Sequence, residues 1–195
     1  MNKTTKKTAL ILQAKASIRV TLFTMTVCCL FYPLAILGLG RLLGPSVVNG
    51  SLVRNGQGEI VGSRLIAQRF DTPGYFWPRP SAVDYNASAA GGSNLSPANP
   101  KMRARAKTLM VRFNASAHDP IPADLVTASG SGLDPDITLA AAIFQSKRIA
   151  EARRLPVKTI TKMLEEYAYR PGGFLTPQPL VNVLRVNMAL DRMER

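Results

Sequence analysis

VTLFTMTVCCLFYPLAILGLG, residues 20–40, carries no charged side chain between Arg19 and Arg41. At about 1.5 Å of rise per residue, such a helix covers roughly the 30 Å hydrocarbon core of a bilayer. The run reads as a membrane-crossing helix, bounded here at residues 16–44. A cleaved leader would have an apolar centre of about 7–15 residues and a small-x-small site. Here the run is longer and continues into Leu42-Leu43-Gly44-Pro45 without an A-x-A. A buried core helix is the other rival. Pro33 predicts a kink, which membrane helices tolerate. Gly38 and Gly40 either let a second helix approach or face lipid.

Flanking charge gives the orientation. Lys3, Lys6, Lys7, Lys15 and Arg19 precede the run, whereas Arg41 and Arg54 are the nearby cations after it. The positive-inside rule places residues 1–15 in the cytoplasm as a short basic N-terminus and residues 45–195 outside.

The part after the anchor, about 150 residues, is long enough for one domain with its own core. Of the chain's 25 Lys and Arg, six precede Pro45, which leaves 19 against all 12 Asp and Glu. A basic balance of this kind suits nucleic acid, an anionic membrane surface or a phosphate ligand. The tether argues against nucleic acid and leaves membrane lipid as a partner. Cys28 and Cys29 are adjacent and lie inside the apolar run, so no disulfide framework and no cysteine metal site are expected. His118 is the single histidine. Zinc would lack nitrogen ligands, so no metal is expected, and His118 reads as an exposed loop residue.

Beyond the anchor, Leu52-Val53 and Glu59-Ile60-Val61 flank Asn55-Gly56-Gln57-Gly58, which predicts a hairpin. Residues 71–100 are rich in Gly, Pro, Ser and Asn and hold no regular element. They nevertheless contain Tyr75, Phe76, Trp77 and Tyr85, which predicts a loop packed onto the domain. Pro100 opens a helix to about Ala115 whose cations Lys101, Arg103, Arg105, Lys107 and Arg112 form a solvated face or meet anionic lipid or phosphate. A helix over 137–154 follows, capped by Thr138, with Ala141, Gln145, Ile149 and Ala152 on its buried face and Arg148 one turn beyond Gln145. A further helix is expected over 156–169, ended by Pro171-Gly172-Gly173. The tail from Leu180 alternates Val181, Val183 and Arg185 and reads as a strand turning into a short helix. The mixed order of elements gives an α+β class: one N-terminal transmembrane helix and a single mixed extramembrane domain.

Two Gly/Ser loops are possible anion cradles, AAGGSN at 89–94 and ASGSG at 128–132. Neither is a P-loop. A serine hydrolase would need Ser129 or Ser131 activated by a base, and His118 is the one imidazole on offer. That reading, a membrane-anchored extracytoplasmic enzyme using the Ser/Gly loop, is the alternative function. Asp134 and Asp136 read as turn and helix-start residues rather than as a catalytic pair.

Ordered motifs then carry a resemblance. They are NGSL at 49–52, GSRLIAQRF at 62–70, YFWPRPSAVDYN at 75–86, AAGGSNLSPANP at 89–100, DLVTASGSGLDPDIT at 124–138, Gln145 with Arg148-Ile149-Ala150, and VNVLRVNMALD at 181–191. Together with Tyr32-Pro33 in the anchor, they resemble the KdpC family, the C subunit of the bacterial Kdp potassium-transporting P-type ATPase.

The resemblance implies an accessory, non-catalytic subunit of a high-affinity potassium uptake complex in the bacterial inner membrane. Its partners would be a potassium-translocating A subunit and an ATP-hydrolysing B subunit. The family role is assembly, together with a catalytic-chaperone action that raises the ATP affinity of the catalytic subunit. By the same resemblance Gln145, Gly91, Gly92, Ser93 and Ser129 are the nucleotide-binding residues, with ATP as the ligand. Ala90 stands where the family's S-G-G-S segment has serine, and Asp136 where His or Asn is common. A periplasmic domain would meet little ATP, so the topology points instead to covering or bracing the A subunit.

Overall fold

The structure is a computed structural model that describes residues 3–193, with side chains from Thr8 onward. Met1 and Asn2 of the basic N-terminus lie outside the described residues, as do the side chains of Lys3, Lys6 and Lys7. Two compact units divide between Gly50 and Ser51.

The first unit is a helix built from α1 (Lys3–Thr26), a π-helical segment Val27–Phe31 and α2 (Tyr32–Leu43), followed by the short α3 (Pro45–Val48). Its stretch Thr8–Leu43, 36 residues, is the one helix among the described residues long and apolar enough to cross a membrane. Pro33 has no N–H to donate one turn back, and the ladder answers locally. Tyr32 N–H bonds to Val27 O, five residues back, so the turn before the proline widens instead of breaking. Thr24 and Thr26 donate their hydroxyls to the Val20 and Leu22 carbonyls, each at 2.8 Å, so these polar atoms are also satisfied within the helix.

In the second unit the expected hairpin forms from β1 (Leu52–Arg54) and β2 (Ile60–Ser63), antiparallel, with Val53 opposite Gly62. Asn55 sets the turn: its Oδ1 accepts from the Gln57 and Glu59 N–H groups, both at 3.0 Å. α4 (Pro100–Arg112) begins where expected, with Asn99 capping Lys101 N–H.

The core lies around α5 (Leu139–Arg153), α6 (Val157–Tyr167) and α7 (Val183–Met193). Strands β3 (Asp136–Thr138) and β4 (Leu180–Asn182) pair antiparallel beside them, Ile137 opposite Val181. Leu125, Ile137, Ile149, Ile160, Leu164, Val181 and Leu190 are fully buried there. Burying an aliphatic side chain of this size contributes about 1.5–3 kcal/mol.

Three local expectations change. Ile137 is strand rather than helix, because a buried partner, Val181, claims it; Thr138 still caps the helix, accepting from Ala141 N–H at 3.1 Å. Ala152 is exposed, and the inward face of α5 instead uses Ala142, Ser146 and Ala150. α6 stops at Tyr167, since Tyr169 is taken by a bridge to Leu180. The tail turns from strand to helix as expected, but earlier: β4 ends at Asn182, so Val183 and Arg185, expected in the strand alternation, already lie in α7.

Candidate functional site

The loop 71–80 has no strand or helix of its own, yet Phe76 is fully buried and Trp77 is 7 % exposed. A buried irregular backbone must find partners for its N–H and C=O groups. Two buried amides supply them. Phe76 N–H donates to Asn187 Oδ1 at 2.8 Å, and Asn187 Nδ2 donates back to Phe76 O at 3.0 Å. Trp77 N–H donates to Gln145 Oε1 at 2.9 Å, and Gln145 Nε2 donates back to Trp77 O at 3.1 Å. Each amide copies the double exchange of a strand neighbour, from α7 and from α5.

Arginines complete the hold. Arg148 donates to the carbonyls of Pro73 and, at 3.0 Å, Tyr75, and to Gln145 Oε1 at 2.7 Å. Its guanidinium lies 3.8 Å from the Trp77 ring centre, and that of Arg112 lies 4.1 Å from it. Burial, and then repulsion from Arg112, lowers the Arg148 pKa to about 10, so it stays charged at neutral pH. Arg112 is balanced by Asp71 at 2.9 Å. Arg153 donates to Gly74 O at 2.6 Å and to Asp191 at 2.9 Å, and it stacks 4.6 Å from the centre of Tyr75.

The two Gly/Ser loops meet. Gly91 N–H donates to Ser131 O at 2.8 Å. A Cβ on Gly92 would sit 2.8 Å from Gly130 O, and one on Gly132, at φ +71°, would sit 2.8 Å from Gly91 O. Glycine is therefore needed for backbone to approach backbone. Ser129 is buried; its N–H donates to Pro80 O at 3.0 Å. Its Oγ is held by Ser131 Oγ at 3.3 Å and by Asp134 N–H at 3.4 Å, neither of which acts as a general base. Ser93 is half-buried beside Gly92, and His118 is exposed.

Gly91, Gly92 and Ser129 are thus brought into one seam. Gln145 joins it through the chain, since it holds Trp77 and Pro80 follows three residues later. A cleft of about 180 Å³ lies in front of Trp77, walled by Arg69, Arg112, Tyr85 and Ser81. A larger one of about 560 Å³ lies between the hairpin turn and α7.

Asp134 and Asp136 separate in role. Asp134 pairs with Arg79 at 2.9 Å, and its Oδ1 accepts from Asp136 N–H, a turn function. Asp136 opens β3 instead of a helix and accepts from Tyr169 Oη at 2.7 Å and Asn182 Nδ2 at 3.1 Å. Burial outweighs these bonds and raises its pKa above the ordinary carboxylate value.

Asn187 is the loop clamp that the sequence alone does not single out. Its signal was an amide inside the apolar stripe Val183, Val186, Leu190 of α7, where a buried polar group implies a partner.

A family model described as "KdpC: K+-transporting ATPase, c chain" matches residues 14–192. A potassium-transporting ATPase KdpC subunit from Parvibaculum lavamentivorans is 47 % identical over 92 % of this chain and 96 % of its own length. The corresponding protein of Caulobacter vibrioides is 47 % identical over 83 % and 84 %. That of Methylococcus capsulatus is 46 % identical over 84 % and 88 %.

Proposed function

The chain belongs to the KdpC family of potassium-transporting ATPase subunits, and from that premise we propose that it is the non-catalytic, membrane-anchored companion of the larger subunits. The partners in this reading are the potassium-translocating A subunit and the ATP-hydrolysing B subunit. It sits in the bacterial inner membrane by a single pass, N-terminus in the cytoplasm and folded unit outside, as the flanking charge favours. It supports assembly and acts as a catalytic chaperone on the B subunit.

The observation that carries this reading is how the polar core is used. Gln145 and Asn187 spend both side-chain amide atoms on the backbone of Phe76 and Trp77, and Arg148 adds bonds to the Pro73 and Tyr75 carbonyls. An arrangement of this kind makes a rigid, preformed surface rather than a set of reactive groups, and preformed surfaces favour docking.

Any effect of Gln145 on nucleotide affinity then runs through Trp77 and the wall it forms. Direct contact of ATP with Gln145, Gly91, Gly92, Ser93 and Ser129 is the second reading, favoured by the meeting of the two glycine loops. Purification of the tagged chain in mild detergent tests the first: two larger subunits co-elute, and the chain alone hydrolyses no ATP. Turnover by the isolated chain, abolished by Ser129→Ala, would establish the anchored enzyme instead. Gln57→Cys in a Cys28→Ser/Cys29→Ser background should react with an impermeant maleimide in intact cells; labelling only after lysis reverses the orientation.

A further inference from the structure

Helix α4 buries none of its residues. Met102, Arg105, Ala106 and Leu109 are half-buried and lie against the rest of the unit. At about 100° per residue, Arg103, Ala104, Lys107, Met110 and Val111 share the opposite arc of roughly 120°. Val111 is 81 % exposed and Met110 is 42 % exposed. The helix contains no acidic residue, and Arg112 is its one cation in an ion pair among the described residues. This face presents two cations without an ion-pair partner among the described residues beside two exposed apolar side chains. Cations supply attraction to negative headgroups, and apolar side chains supply shallow insertion.

The chain carries a membrane-length helix, and seven residues, Gly44–Gly50, join it to the folded unit. Such a tether holds the unit at high effective concentration near headgroups, so each contact need only be weak. We propose that the outward face of α4, formed by Arg103, Lys107, Met110 and Val111, is a docking surface for anionic phospholipid headgroups. A cation near an anionic membrane surface strengthens attraction roughly fivefold, so reversing two of them removes most of the preference.

The test uses the full chain in nanodiscs with Cys28→Ser/Cys29→Ser/Val111→Cys carrying an environment-sensitive fluorophore. In phosphatidylglycerol the emission should shift to the blue and resist aqueous quenching, and in phosphatidylcholine it should do neither. The shift should fade in about 0.5 M salt, where screening shortens to roughly 4 Å. Arg103→Glu/Lys107→Glu should abolish it with an unchanged urea midpoint, the sign that the fold is intact. In phosphatidylglycerol nanodiscs the shift should persist when free phosphate is added. Equal emission in the two lipids overturns the proposal. So does a shift that appears in phosphatidylcholine only after the larger transport subunits are added, since an acidic protein surface would then be the occupant.

Discussion

The membrane-length helix and the loop 71–80 face one problem, how to keep backbone N–H and C=O groups satisfied away from water, and they meet it over very different distances. The helix bonds within five residues of itself, even where Pro33 removes a donor. The loop borrows amides from 68 and 111 residues further along the chain. Local satisfaction survives almost any apolar substitution, whereas borrowed satisfaction rests on single side chains.

The strongest break comes from removing a borrowed partner. Asn187→Ala leaves Phe76 N–H and C=O buried without bonds. Each orphaned group costs about 1–3 kcal/mol, so a loss of about 2–6 kcal/mol is expected from urea unfolding in detergent. Gln145→Ala should cost about the same and also remove one of the three acceptors of Arg148. If ATP titration of Gln145→Ala and Asn187→Ala shows equal losses of heat, Gln145 acts through the loop; a loss confined to Gln145→Ala makes it a direct ligand.

Arg148→Lys comes next. The charge remains, but the fork that reaches two carbonyls and stacks on Trp77 is lost, for about 1–2 kcal/mol. A quench or shift of Trp77 fluorescence relative to the parent chain reports the lost stacking, and an unchanged spectrum argues that Arg112 alone sets the indole environment.

Asp136→Asn is a milder test. A carboxyl whose folded pKa is raised binds its proton more tightly folded than unfolded. Stability therefore falls as pH rises from the ordinary value of 3.8 through the raised one. The substitution should flatten that part of the Tm–pH profile, and a slope that survives would assign it to another group.

The smallest effect is expected within the helix. Pro33→Ala restores an N–H opposite Cys29 O and lets the π segment tighten, with slower amide exchange over Val27–Phe31 and little change in unfolding.

The same contrast decides what could be read in advance. The uncharged run, the Asn55–Gly58 turn, the helix start at Pro100, the cap at Thr138 and the inward position of Gln145 are all set by neighbours within a few residues, and all are legible in the sequence. Ile137 is not, because its strand state depends on Val181, and neither is the end of α6, which depends on Leu180. In the site, the aromatics of residues 75–77 announced a packed loop. The identity of its clamps did not follow, since Asn187 meets Phe76 only after the whole core has formed.

The widened turn at Val27–Phe31 also sets a phase. One extra residue in a helical turn rotates everything after it by about 100° relative to an unbroken α-helix. Positions counted by i, i+4 from Thr8 therefore leave their stripe before Tyr32 and resume on a different side toward Leu43. A crosslinking scan of the anchor must renumber its faces at that turn, or it will assign the two ends of one neighbour to two different neighbours.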